Sequence, residues 1–139
     1  MRLVDQGGLE MLDYDECLRL LAAGRLGRIG IVDHGQPVIL TVNYALDGEA
    51  PVFRTGPGLK LRMGAGSPAC FQLDSWDLDT NSGWSVLVTG RLEEVTGYDE
   101  GTLVSRVREL KVTPWAPGDR SHWMRLVPSR VSGRRVGPG

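Results

Sequence analysis

The sequence predicts a mainly β protein, a closed or nearly closed antiparallel barrel with peripheral helices. Three observations carry that expectation. Apolar and polar residues alternate through several short segments. The links between those segments are too short for parallel crossovers. Six or more such segments fit within 139 residues, enough to close a small sheet on itself. A chain of this length holds one domain and one core, and no repeat, linker or change of composition divides it.

Each element follows from local signals. Asp13-Tyr14-Asp15-Glu16 starts a helix, with Asp13 as N-cap and Glu16 three residues on. Tyr14, Cys17, Leu18 and Leu21 then share one apolar face, and Gly24 closes the helix as a C′ residue. Arg28 to Ile31 alternates as a first strand and ends at the hairpin signal Asp33-His34-Gly35. Pro37 to Leu46 is a second strand, Asp47-Gly48 a turn, and Pro51 to Thr55 a third strand. A short helical piece, Leu59 to Met63, follows Gly56-Pro57-Gly58 and is broken by Gly64-Ala65-Gly66-Ser67-Pro68. Ala69 to Asp74 is a fourth strand, with a polar loop through Gly83.

Trp84 to Val95 is the longest strand candidate. Trp84, Val86, Val88 and Leu92 fall on one face and Ser85, Thr89, Arg91 and Glu93 on the other. A second helix is expected from Asp99 to Lys111, with Leu103, Val107 and Leu110 facing inward. Thr113-Pro114-Trp115-Ala116-Pro117-Gly118 reads as an irregular loop, and His122 to Val127 and Arg130 to Val136 as two closing strands.

Bulk properties exclude several functions. The net charge is −1, from 16 Lys+Arg and 17 Asp+Glu, where a nucleic-acid binder carries a clear basic excess. Only Lys60 and Lys111 are lysines among those cations. Cys17 and Cys70 are too few and too far apart for a disulfide framework or a paired zinc site, and read as free thiols in a reducing cytoplasm. No stretch is long and apolar enough to span a bilayer, and Met1 to Leu12 lacks the pattern of a signal peptide.

Most chemical motifs are absent. There is no Gly-x-Ser-x-Gly, and neither His34 nor His122 has a triad context. Asp74, Asp77 and Asp79 lack the distal Glu of a calcium loop, so a solvated polar loop is the expectation. Gly24-x-x-Gly27-x-x-Gly30 opens a strand rather than a helix and is no dinucleotide fingerprint. Arg54-Thr55-Gly56-Pro57-Gly58-Leu59-Lys60 is different. It gathers a guanidinium, a hydroxyl, glycine backbone and an ammonium at a strand end, just before a helical piece. Phosphate is held by such donors. An ordinary surface loop with solvated charges explains the same residues, so on chemistry alone both readings stand.

Six segments occur in a suggestive order. They are Gly24-Arg25-Leu26-Gly27-Arg28, Pro37 to Tyr44, Phe53-Arg54-Thr55 to Lys60-Leu61, Gly83 to Gly90, Pro114-Trp115-Ala116-Pro117-Gly118 and Gly133-Arg134-Arg135. Together they resemble the pyridoxamine 5′-phosphate oxidase-like family, in its small actinobacterial and nitroimidazole-resistance branch. The resemblance implies a six-stranded antiparallel split barrel of the FMN-binding type. Residues 1–12 would be a flexible N-terminal segment and 13–139 the single split-barrel domain. It further implies a homodimer with FMN in clefts between subunits.

By position in the family pattern, Arg54, Thr55 and Lys60 are the expected phosphate binders. Leu40, Thr41, Val42 and Asn43 form the expected edge along the flavin ring, and Trp84 and Ser85 the expected contacts from the middle strand. Trp115 and Trp123 are expected to close the cleft from the partner chain; barrel or interface packing is the alternative for each and the simpler account of Trp123. Leu59 stands where relatives carry a Thr, and Thr41 where a proline is frequent. The C-terminal Arg and His residues of the full-length oxidases are missing, so pyridoxamine phosphate is not the expected substrate.

The expected function is an FMN-dependent oxidoreductase acting on a small planar redox substrate. The cofactor would carry the redox chemistry, which suits a chain without an acid, base or nucleophile set. Two alternatives share the barrel: a reductase using the deazaflavin F420, with Arg62 as an added cation, and a flavin- or haem-binding protein without turnover.

Overall fold

The structure, a computed structural model, describes residues 3–4, 9–58, 66–95, 110, 112–118 and 120–137. Its strands are β1 (Leu3–Val4), β2 (Glu10–Met11), β3 (Leu26–Asp33), β4 (Gln36–Asp47), β5 (Ala50–Thr55), β6 (Pro68–Asp77), β7 (Ser82–Glu94) and β8 (His122–Val136). One helix, α1 (Tyr14–Ala23), lies between β2 and β3. The strands run β8-β5-β4-β3-β6-β7, and β7 pairs with β8 again, so six antiparallel strands close into a barrel. The short β1 and β2 extend the sheet beside the end of β8, through Glu10 opposite Arg135. The segment 1–12, expected to be flexible, thus contributes two strands.

The hairpins form where the turn residues allow them. His34 and Gly35 both take positive φ, 50° and 79°, the pair a tight β3–β4 turn requires. Gly48 does the same at φ 64° between β4 and β5. Between β6 and β7, Asp77 Oδ1 accepts from the backbone N–H groups of Asp79 and Thr80, and Asn81 takes φ 52°. Asp77 is therefore used in its own turn. Asp74 lies apart from it, accepting from Arg28 at 3.2 Å and from Gln72 at 3.0 Å.

Asp13 caps α1 as expected, its side chain accepting from the Glu16 N–H at 2.8 Å. Cys17, Leu20 and Leu21 are the residues that α1 buries against the barrel. Tyr14 departs from the expected apolar face. It is exposed, and its hydroxyl donates to Glu49 in the β4–β5 turn. Gly24 ends the helix, but in an extended conformation (φ −85°) rather than the left-handed one. A Cβ there would stand 2.4 Å from the Tyr44 hydroxyl oxygen, so close packing is what demands glycine.

Phe53, Phe71, Ile29, Val86, Val88 and Leu126 fill the interior with no exposed surface. Tyr44 meets Phe71 edge to face, with ring centroids 4.7 Å apart. The two closing strands expected at the C-terminus are one. β8 runs through Pro128 because the register shifts there, pairing Thr89 with Arg130 and Gly90 with Pro128. Ser129 is left as the extra residue of a bulge, and its hydroxyl donates to the Thr89 carbonyl at 3.1 Å. The expected helical segments at Leu59–Met63 and Asp99–Lys111 lie outside the described residues except for Leu110, which packs with Trp123 against Val52 and Val95. Among the described residues no helix is long and apolar enough to cross a membrane.

Candidate functional site

The residues 112–118 lie against β4 and divide its surface into two clefts. Asn43 makes the division. Its side-chain oxygen accepts the backbone N–H of Trp115 at 2.9 Å, tying the loop to the strand. The Trp115 ring is left 71% exposed above both clefts. Pro114 and Pro117 explain the lack of regular structure in this segment, since neither can donate to a ladder.

The first cleft, of about 420 Å³, lies between β4, the end of β5 and this loop. Leu40, Thr41, Val42 and Asn43 form its β4 wall, with Arg54, Thr55 and Arg120 at one end. The alternation of β5 sends Phe53 into the core and turns Arg54 to the other face, opposite Trp123 on β8. There the guanidinium lies 5.2 Å from the Trp123 ring centre. Its Nε donates to the Arg120 carbonyl at 2.9 Å and one Nη to the Val112 carbonyl at 3.3 Å. Five N–H donors are available on a guanidinium, so this grip on the loop leaves donors for a ligand.

The second cleft, of about 510 Å³, lies on the α1 side of the Asn43–Trp115 bridge. Ala22, Gly24 and Arg25 line it from the end of α1, Ala45 and Leu46 from β4, and Thr113 from the loop. Tyr44 reaches it from below, its buried hydroxyl donating to the Leu21 carbonyl at 2.5 Å. Burial raises the phenol well above its ordinary pKa, so Tyr44 serves as a neutral donor.

The charge pattern of the two clefts is one-sided. Arg19, Arg28, Arg125 and Arg135 each pair with a carboxylate. Among the described residues Arg25, Arg54 and Arg120, which border the clefts, do not, and neither do Arg91, Arg130 and Arg134, which lie elsewhere. Among the described residues no Asp or Glu lines either cleft. Both volumes fall in the range of small-molecule sites. An anionic ligand with a flat part matches this donor set: cations at one end, and the β4 backbone with an exposed indole along its length.

Seven of the ten residues expected from the sequence meet in the first cleft: Leu40, Thr41, Val42, Asn43, Arg54, Thr55 and Trp115. Lys60 lies outside the described residues, as does Arg62. Trp84 and Ser85 line neither cleft. Trp84 packs on the main core, and Ser85 stands between Asp74 on β6 and Arg134 on β7's other neighbour, β8. Sequence reasoning missed Arg25 and Arg120. Arg25 sat in a quoted segment, but nothing local shows that the end of α1 faces the same groove as Trp115.

Comparison with known proteins gives consistent results. Residues 13–135 match the sequence profile of the family described as Pyridoxamine 5′-phosphate oxidase. An uncharacterized protein of Mycobacterium tuberculosis is 30% identical over 131 residues, covering 90% of this chain and 84% of its own length. An FAD-binding protein from Mycobacterium smegmatis superposes with a TM-score of 0.68 at 26% identity, over 92% of this chain and 98% of that one. An FAD-binding protein from Mesorhizobium loti superposes with a TM-score of 0.71 at 26% identity, over 93% and 99%.

Proposed function

Because this chain belongs to the pyridoxamine 5′-phosphate oxidase family, we propose that the cleft between β4 and the 112–118 loop binds a flavin nucleotide and that the protein is a flavin-dependent oxidoreductase. The observation that carries this reading is the arginine-edged cleft along Leu40–Asn43, which no carboxylate lines among the described residues. The FAD-binding relatives support the same ligand class.

The bound flavin would supply the transfer of a hydride or of electrons. The chain's own residues do the rest. Arg54 and Thr55, with Lys60 beyond the described residues, hold the phosphate nearest the ribityl chain through charge-assisted hydrogen bonds. The backbone of Leu40, Thr41 and Val42 would run along the ring, with Thr41 on the outer face and Leu40 and Val42 packed into the core. Trp115 covers part of the site and leaves room for a small planar substrate to stack beside it. Trp84 and Ser85 face away from this cleft within one chain, so a role for them requires a second copy. The homodimer is therefore part of the reading, as is a cytoplasmic location with free thiols.

The test is the absorbance spectrum of the purified protein, followed by titration with FMN, FAD and F420. A two-band flavin spectrum, or micromolar binding of FMN or FAD with quenched flavin fluorescence, is the expected result. A Soret band alone, or affinity for F420 without affinity for either flavin, overturns it.

A further inference from the structure

The first cleft does not stop at β4. Leu26 and Thr41 line it, and the same two residues line a smaller pocket of about 160 Å³ together with Arg28 and Asp74. Arg28 stands directly opposite Thr41 on one side and Gln72 on the other. Residues so paired share one face of the sheet, here the outer one. In the strand order β5-β4-β3-β6, Arg54 lies on one side of β4 and Arg28 on the other. The two flanking strands are about 10 Å apart. A ring that runs along β4 with its phosphate at Arg54 therefore has the Arg28 pocket on its far side.

The groups left free in that pocket are donors. Both bonds of Arg28 leave from one terminal nitrogen, to Gln72 Oε1 at 2.9 Å and to Asp74 Oδ1 at 3.2 Å. Its Nε and second Nη are left over, on a side chain that is 51% exposed. Thr41 adds a hydroxyl at a position where a proline is frequent in the family. Asp74 is already engaged. Hydrogen bonds from Gln72, Arg28 and Trp76 hold its carboxyl below the ordinary pKa against partial desolvation, so it serves to orient the guanidinium. A planar guanidinium edge beside a hydroxyl matches the two oxygens of a carboxylate.

We propose that this pocket is the substrate subsite, and that Arg28 and the Thr41 hydroxyl select a small planar carboxylic acid lying beside the flavin. Leu26, 40% exposed at the border between cleft and pocket, gives the flat part of such a molecule apolar contact. The proposal rests on the flavin reading and adds a substrate class and the residue that chooses it. Arg28 is a specificity residue, and Asp74 is a positioning residue that acts through it.

The full-length protein loaded with flavin is titrated with benzoate and with its neutral counterpart benzamide while the visible bands of the flavin are followed. Benzoate should perturb those bands and bind at least about tenfold more tightly than benzamide. Arg28→Gln should weaken benzoate by about tenfold or more and change flavin affinity by less than about twofold. Arg28→Lys, which keeps the charge and loses the fork, should fall between. Equal binding of benzoate and benzamide overturns the proposal, and that comparison needs no variant. Benzoate affinity unaltered in Arg28→Gln overturns it too, as does benzoate that displaces the flavin, since it then sits at the Arg54 end. If the protein takes no flavin, the flavin reading fails by itself. Calorimetric titration of benzoate into the flavin-free protein then decides the subsite: binding that Arg28→Gln abolishes retains it, and no binding up to about 10 mM removes it.

Discussion

The backbone N–H of Trp115 donates to the side-chain oxygen of Asn43, 72 residues earlier in the chain, at 2.9 Å. This contact fixes the loop that walls both clefts, and Asn43 itself lines them, so its substitution tests the loop and the cleft wall together. Asn43→Leu removes the acceptor at nearly constant volume. Flavin affinity should fall by about fivefold, corresponding to a hydrogen bond of about 1 kcal/mol. Asn43→Asp keeps an acceptor oxygen but puts a negative charge beside Arg54 in the cleft, and should weaken flavin more than the leucine does. Fluorescence titration of both variants checks the order.

Arg54 holds two loop carbonyls and stacks on Trp123. Lysine cannot reproduce a planar fork that does all three. Arg54→Lys should therefore lower flavin affinity by about tenfold or more, and should shift the Trp123 emission even without flavin. A lysine variant with unaltered emission and affinity would remove Arg54 from the site.

Glu16 gives a pH dependence whose sign is fixed. Bidentate hydrogen bonds from Arg19, opposed by partial desolvation and aided by Arg135, lower its carboxyl from 4.5 to about 2. A carboxyl lowered in the folded state stabilises the fold above its unfolded pKa, and that contribution disappears as pH falls through the folded one. Acid titration of stability should thus show a loss between about 4.5 and about 2 that Glu16→Gln flattens. Because Arg135 also reaches Glu10 at 3.6 Å, the variant should loosen β2 as well, visible as faster amide exchange near Glu10.

Gly90 faces the β8 bulge, where a Cβ would lie 1.9 Å from the Val127 carbonyl oxygen. Backbone rather than a flexible side chain blocks it, so Gly90→Ala has to displace a strand. The expected cost is about 2–3 kcal/mol, read as a fall in Tm of several degrees. Gly35→Ala is the informative contrast. Open space surrounds Gly35, and its cost should come from its φ of 79° alone.

Much of this was legible in the sequence where one strand or one turn decides the outcome. The alternation from Trp84 to Glu94, the cap at Asp13 and the turn at His34-Gly35 depend on neighbours within a few residues, and each formed as its residues dictate. What failed needed partners far along the chain. Pro128 and the residues after it read as a strand break until Gly90 and Thr89 are placed opposite them. Tyr14 belongs to the apolar stripe by spacing, yet it lies exposed with its hydroxyl on Glu49, 35 residues away in sequence. The site divides the same way: Arg54 and Leu40–Asn43 announce themselves in two short segments. Arg25 and Arg120 reach the groove only because β4 is paired with both β3 and β5 and the loop is pinned to Asn43.

β8 pairs with β5 on one side and with β7 on the other, and it is the last of the strands in chain order. During synthesis the other five walls therefore leave the ribosome as an open sheet, with raw edges on β5 and β7. The ring can be sealed only when residues up to Val136 clear the exit tunnel. Newly made chains should consequently be most vulnerable to clumping in that interval, and any stalling before the final strand would prolong it.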